Sequence, residues 1–396
     1  MSGARVLSIT LGLALVAAAC TTSRSDDGAG TAAGAGAAPD GLPEGPSALD
    51  DMTDPSFPQP LVDPVQIVSG GPPPDGIPPI DEPQFVSVAD AGQWLASDEP
   101  VIAVEIDGDA RAYPVQILIW HEIVNDTVAG APVTVTYCPL CNTGVSFVRV
   151  VDGVEVTFGT SGRLFASALV MYDRPTESLW THFDGRAVVG LLTGEQLEVI
   201  PSPLLAWSEF AASFPDGRVL DRDRTRFRRN YGTNPYEGYD RPDARPFLFR
   251  GEVDDRARAM QRVVGVERGG EATAWPVEAV SGDGAAVTYG EVGGDEIVIL
   301  WKAGQSTALE ANEVDAGRDV GSVGVFLPQV GERRLTLRAE GDGFRDAETG
   351  SVWDVAGQAT GGPLEGASLD RINHFVTFWF AWSTYQPGTT LVEDGA

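Results

Sequence analysis

Two halves of this chain repeat one another, and any fold proposed for it has to accommodate that repetition. ARAYPVQIL from Ala110 matches ATAWPVEAV from Ala272, and VTVTYCPLCNTGV matches IVILWKAGQSTAL. DRPTESLW at 173–180 matches DAETGSVW at 346–353. Gly194-x-x-Leu197 matches Gly366-x-x-Leu369, an offset of 172 that still holds where LAWSEFAASFPDGRVL matches FWFAWSTYQPGTTLV. Units this long are not solenoid repeats. They predict two related domains, or two lobes of one pseudo-symmetric body.

Each half reads mainly as strands. VIAVEID, VTVTY, SFVRVV, VEVTF and ALVMY are short and rich in β-branched and aromatic residues, and the turn pairs Asp107-Gly108 and Asp152-Gly153 lie between them. LLAWSEFAASF near 204–214 has apolar residues at helical spacing, whereas ILIWHEIV fits helix and strand equally. No strand–glycine-loop–helix unit occurs, so a Rossmann or thioredoxin fold has no support. The expected class is mainly β (β-rich α+β): two tandem, internally duplicated β-rich repeats with a few short helices. The first repeat is placed at 81–220 and the second at 264–396. An Arg-rich connecting loop, 221–263, carries Arg222, Arg224, Arg226, Arg228 and Arg229. It reads as a solvated loop, as a cluster balancing nearby carboxylates, or as a loop that closes over an anionic group. The aromatics Trp353, Phe378, Trp379, Phe380 and Trp382 are expected to pack the second-repeat core.

The N-terminus is of another kind. Arg5 precedes an apolar run from Val6 to Ala19, too short to span a bilayer comfortably. Ala17-Ala18-Ala19-Cys20 follows the layout of a bacterial lipobox, so 1–19 is read as a signal peptide and Cys20 as the lipidated residue. An ordinary signal peptide with an incidental Cys20 is the alternative. Residues 20–80 are dominated by Gly, Ala, Ser, Pro and acids, which predicts a disordered, lipid-anchored tether. The implied location is extracytoplasmic, in the bacterial cell envelope, with the membrane as partner through Cys20.

Charge narrows the remaining partners. With 27 Lys and Arg against 57 Asp and Glu, the net charge is −30, which argues against nucleic acid. Lys302 is the single lysine, so a Schiff-base or P-loop lysine is not expected. There are 3 Cys and 3 His in all, too few cysteines for a disulfide scaffold.

The asymmetry between the halves directs attention to the first. It holds Cys138 and Cys141 in YCPLC and His121 in WHEIVND; the second half has LWKAGQST in place of YCPLCNT. Three readings of the cysteine pair stay open. A structural disulfide between i and i+3 closes a tiny loop and removes little unfolded-state entropy. A redox dithiol would use one cysteine as attacking thiolate and the other as resolving thiol, with His121 as base. A metal site would combine Cys138, Cys141 and His121, with Met171, Asp173 or a second His, and would take copper, zinc or iron. Met171, Asp173 and Arg174 are the expected lining. His121-Glu122 is not the zincin motif, because Asn125 stands where the second His belongs. No G-x-S-x-G occurs around Ser161. His121, His182 and His374 each have the ordinary reading of a satisfied core histidine, and Glu122 and Asp126 read as loop carboxylates.

YPVQILIWHEIVND, VTYCPLCNTGVSF, FGTSGRLFASALVMYDRPTESLW and the late FWFAW resemble the domain-of-unknown-function family 3179, over about residues 80–392. Some members of that family are annotated selenoproteins with selenocysteine in the CxxC-like motif. The resemblance therefore implies that reactivity falls on Cys138 and Cys141. It raises the redox reading over the structural disulfide and leaves soft-metal ligation open. Asn142 stands where the family commonly has Gly, and His182 where a Gln-like residue is common, so His182 is not expected as a family ligand.

The reading that follows is an exported lipoprotein with one site, Cys138, Cys141 and His121. It uses thiol-based redox chemistry with an unknown partner. The alternatives are a metal-binding protein served by a metal-delivery partner, and a surface scaffold whose CxxC is structural. The Cys20→Ser chain is expected to leave the membrane fraction for the soluble one; unchanged membrane association would rule out the lipid anchor.

Overall fold

The computed structural model describes residues 41–392, and the signal-peptide and Cys20 readings lie outside them. The described chain is mainly β, and its α-helices are short. None is long and apolar enough to cross a membrane.

Asp107 and Gly108 both take positive φ, as a two-residue hairpin turn requires, and join Pro100–Ile106 to Asp109–Pro114. The second of these strands pairs antiparallel with the first and parallel with Arg218–Leu220. Pro114 then starts the helix Val115–His121. In ILIWHEIV both readings are realised. The helix ends at Glu122, whose φ of 58° breaks it, and the strand Ile123–Val128 begins at once. That strand leads a meander through Ala131–Cys138 and Thr143–Val148. A further sheet holds Phe158–Phe165, Ala168–Asp173, Leu179–Thr181 and Arg186–Val189. The predicted helix near 204–214 is Trp207–Ser213.

The same pairing pattern recurs downstream. Arg262–Arg268 and Glu271–Pro276 form a hairpin whose second strand runs parallel to Thr390–Leu391. The helix Val277–Val280 follows, then the meander Ala285–Val292, Asp295–Lys302 and Ser322–Phe326. Four short strands from Leu337 to Gly361 close the series. One loop recurs bond for bond. Asp173 accepts from the Thr176 and Ser178 backbone N–H groups, Thr176 Oγ1 and Trp180 Nε1. Asp346 accepts the same set from Thr349, Ser351 and Trp353.

The cores are not segregated by half. Phe378, Trp379, Phe380 and Trp382 lie in one buried cluster with Ile117, Tyr137, Cys138 and Phe183. Trp353 packs with Val101, Leu205 and Phe210 of the first half. Residues from both halves of the chain therefore share one interior, and the aromatics expected to fill a separate second-repeat core lie in it.

The tether expectation is corrected from residue 41 onward. Leu42 and Ile80 are buried in the main core, and Ala48 and Ile67 in a smaller cluster. Val68–Ser69 pairs with Leu164 and Arg163. The Ile80 N–H donates to Ile123 O, and Ile80 O accepts from the Asn125 N–H, each at 2.9 Å. Prolines remove donors that a flat-lying segment would otherwise have to satisfy, so this segment lies against the sheets with few ladder bonds. Its anchoring residues are spaced too widely to show a period.

The connecting segment is also more than a solvated loop. Arg224 pairs with Asp221 at 2.5 Å, and Arg226 pairs with Glu82, which realises the carboxylate-balancing reading. Tyr236, Tyr239 and Phe249 pack against the main core.

If residues 41–80 are part of the body, a chain starting at 81 should be insoluble or lack a cooperative thermal transition, whereas one starting at 41 should melt like the mature protein. Equal melting of the two would contradict the packing.

Candidate functional site

The site is a turn between two strands. Cys138 ends Ala131–Cys138 and pairs with Thr143, which opens the next strand. Pro139, Leu140, Cys141 and Asn142 make the connection. Asn142 has φ 54°; left-handed backbone is open to Gly and, with little strain, to Asn. That explains on steric grounds how Asn142 can stand where Gly is common. The turn is clamped from the second lobe. Thr377 Oγ1 donates to Cys141 O at 2.8 Å, the Phe378 N–H donates to the same oxygen at 3.2 Å, and Asn142 Nδ2 donates to Val376 O. Tyr239 of the connecting segment donates to Leu140 O at 3.0 Å.

Both thiols are free and buried. His182 is their neighbour: one ligand atom each from Cys138, Cys141 and His182 lie within 4.8 Å of one another. Leu169 positions the group through its backbone. Its N–H donates to Cys138 Sγ at 3.4 Å, and its carbonyl accepts from the His182 N–H at 3.2 Å. Neither ring nitrogen of His182 has a hydrogen-bond partner, although the side chain is fully buried. Buried imidazoles normally find one. Tyr385 stacks on Phe183 with centroids 4.4 Å apart, and its buried hydroxyl is also without a partner.

The two thiols are poised differently. Burial pushes Cys138 up. The Cys141 thiol and the backbone N–H groups of Leu169, Cys141 and Leu140 outweigh that and hold Cys138 below the usual thiol value. Burial, and then the Cys138 sulfur, push Cys141 well above it. Burial depresses His182 to about 3, against a smaller opposing pull from the Thr143 backbone. Its imidazole is therefore neutral and free to donate a lone pair throughout the ordinary pH range. Glu122 is buried and held protonated, first by burial and then by the charge on Cys138.

His121 does not join the pair. Its Nδ1 bonds Pro78 O and its Nε2 bonds Tyr231 Oη, each at 2.7 Å. Burial, with a lesser push from Arg229, lowers it to about 4. With both nitrogens engaged by Pro78 and Tyr231, His121 stands outside the cysteine group, and His182 occupies the place expected of it. Asp173 is held in its loop by Thr176, Ser178 and Trp180, and Arg174 pairs with Asp75 and Asp81. Neither belongs to the thiol cluster. Met171 is buried in the same core cluster as the thiols.

Sequence reasoning passed over His182 and Glu122. The halves did carry a signal for His182, because WTHFDGRA is matched by WDVAGQA, which has no histidine. Glu122 had no signal beyond its place beside His121.

The family model described as protein of unknown function (DUF3179) matches residues 74–389. Neither the curated proteins nor the solved structures yield a match.

A histidine whose folded pKa is depressed costs stability as pH falls. The unfolded chain takes up the proton near pH 6.5, and the folded one only near 3. Relative to His182→Gln, the metal-free, reduced wild type should therefore lose roughly tenfold in its folding constant per pH unit below about 6. Chemical denaturation of both chains from pH 7 to 4 measures this; a pH-independent difference would mean His182 titrates normally.

Proposed function

Because the chain belongs to the DUF3179 family, we propose a function drawn from its own side chains: Cys138, Cys141 and His182 bind one soft metal ion, copper(I). The observation that carries this reading is the pair of unpartnered nitrogens on buried His182 beside two buried free thiols. Thiolate and imidazole are the donors that select copper(I), zinc or iron–sulfur chemistry. Zinc and iron generally complete four or more positions, and among the described residues no fourth His, Cys, Asp or Glu joins the three. Copper(I) is satisfied by three soft donors. The lowered Cys138 favours the deprotonated ligand, and His182 needs no proton removed. Glu122 would then be the nearby carboxyl for protons released or taken up at Cys138. The chain would act in the bacterial cell envelope, held to a membrane through Cys20 and exchanging its ion with a metal-delivery partner.

The opposite shifts of the two thiols favour a second reading. Cys138 thiolate attacks a disulfide in a partner protein and forms a mixed disulfide, releasing the first partner thiolate. Cys141 then attacks that bond, which leaves a Cys138–Cys141 disulfide and a partner reduced to two thiols. Burial of both sulfurs counts against it, because exchange requires the attacking sulfur to reach its target.

The reduced chain should retain one copper(I) per molecule through desalting against a competing chelator. Cys138→Ser, Cys141→Ser and His182→Ala should each weaken binding on the order of 100-fold or more, because losing a group that only orients a metal ligand already costs up to about that factor. His121→Phe should leave it unchanged. No retained metal, together with a disulfide that forms and reduces reversibly in mass spectra after alkylation, would replace this reading with the second.

A further inference from the structure

We propose that a cavity in the second lobe binds a small zwitterion of the free amino-acid class. The cavity is about 190 Å³. It lies where the meander strand Asp295–Lys302 gives way to the connection 303–321. In strand order this is the counterpart of the connection that carries the two cysteines, and Trp301 is the residue matched to Tyr137. The second lobe thus has a cavity where the first has a thiol turn.

Its wall carries both signs of charge. Arg258, Arg262 and Arg318 line it, and so do Glu278 and Asp319. Arg318 is already paired with Glu310 and with buried Asp240. Arg262 is 5 % exposed; its Nη2 bonds Asp240 at 2.7 Å and Thr307 at 2.6 Å, but its buried Nε has no partner. Arg258 is exposed and makes no ion pair among the described residues. Asp319 is fixed by backbone N–H groups, from Gly304 at 2.8 Å and Gly321 at 2.9 Å. Glu278 meets only the Gln261 amide, at 3.5 Å.

A simple anion in this cavity would face two carboxylates, and a simple cation three guanidiniums. A molecule carrying a carboxylate and an ammonium a few atoms apart satisfies both walls. Its carboxylate goes to Arg258, beside the Arg262 guanidinium, and its ammonium to Glu278 and Asp319. Trp301 and Val277 supply an apolar surface for a side chain, the mixture of apolar wall and few polar groups typical of small-molecule sites. The site is independent of the metal reading, although Arg262 lies over the Phe378 ring and the Phe378 N–H holds Cys141 O.

The test uses the full chain as Cys20→Ser, titrated calorimetrically with L-valine, L-leucine, L-methionine and L-phenylalanine. At least one should bind saturably with Kd of about 1 mM or tighter. Its N-acetyl and amide derivatives, each lacking one charge, should bind at least about tenfold more weakly. Arg258→Gln and Glu278→Gln alter exposed side chains and should each cost a similar factor while thermal unfolding stays unchanged. Absence of saturable binding by all four up to about 10 mM, or derivatives that bind as tightly as the free amino acid, would overturn the proposal. Copper(I) retention in the two variants should equal that of the parent, which separates this site from the thiol site.

Discussion

One backbone oxygen ties the two halves of the chain together at the cysteine turn. Cys141 O accepts from Thr377 Oγ1 and from the Phe378 N–H, and Thr143 Oγ1 in turn donates to Thr377 Oγ1 at 2.7 Å. The second lobe has no cysteine of its own, yet its strand Phe375–Phe378 fixes the turn that holds both sulfurs. Because the aromatic run that follows is buried in the same cluster as the thiols, a shift of one lobe against the other would disturb the sulfur positions directly. The site depends on the shared interior, and neither half contains all of it.

The site also shows how burial sorts identical chemistry. Two thiols three residues apart are held in opposite directions because Cys138 collects backbone donors, whereas Cys141 has burial and a neighbouring sulfur against it. Burial keeps His182 neutral, against a smaller pull from the Thr143 backbone. A soft cation held by such a group would have to displace the proton of Cys141, whereas His182 has none to give up.

Much of the fold was legible in the sequence. Asp107-Gly108 and Asp152-Gly153 mark real hairpins because positive φ at both positions is a local requirement. The cysteine pair was legible because only one half carries it. The choice between His121 and His182 was not, because it rests on what lies across the interior. His121 is met by Pro78 and Tyr231, both distant in sequence, and His182 is brought to the thiols by the backbone of Leu169. The strap 41–80 was misread for a related reason. Proline and glycine content reports a lack of regular structure, which a segment lying flat on a sheet shares with one that is unfolded.

The recurring aspartate loops have a consequence for acid behaviour. Asp173 and Asp346 collect the same donors and both are closed off from water. Burial dominates at Asp173 and raises it above the usual carboxylate range; at Asp346 the donors outweigh burial and it falls below. A raised folded pKa gives stability that is lost as pH rises through it, and a lowered one gives stability that is lost as pH falls. Asp346 therefore gives up stability as pH falls below about 4, whereas the contribution of Asp173 is lost as pH rises above about 4. One motif used twice thus titrates in two adjoining pH ranges, and the combined contribution of the two loops is greatest where those ranges meet.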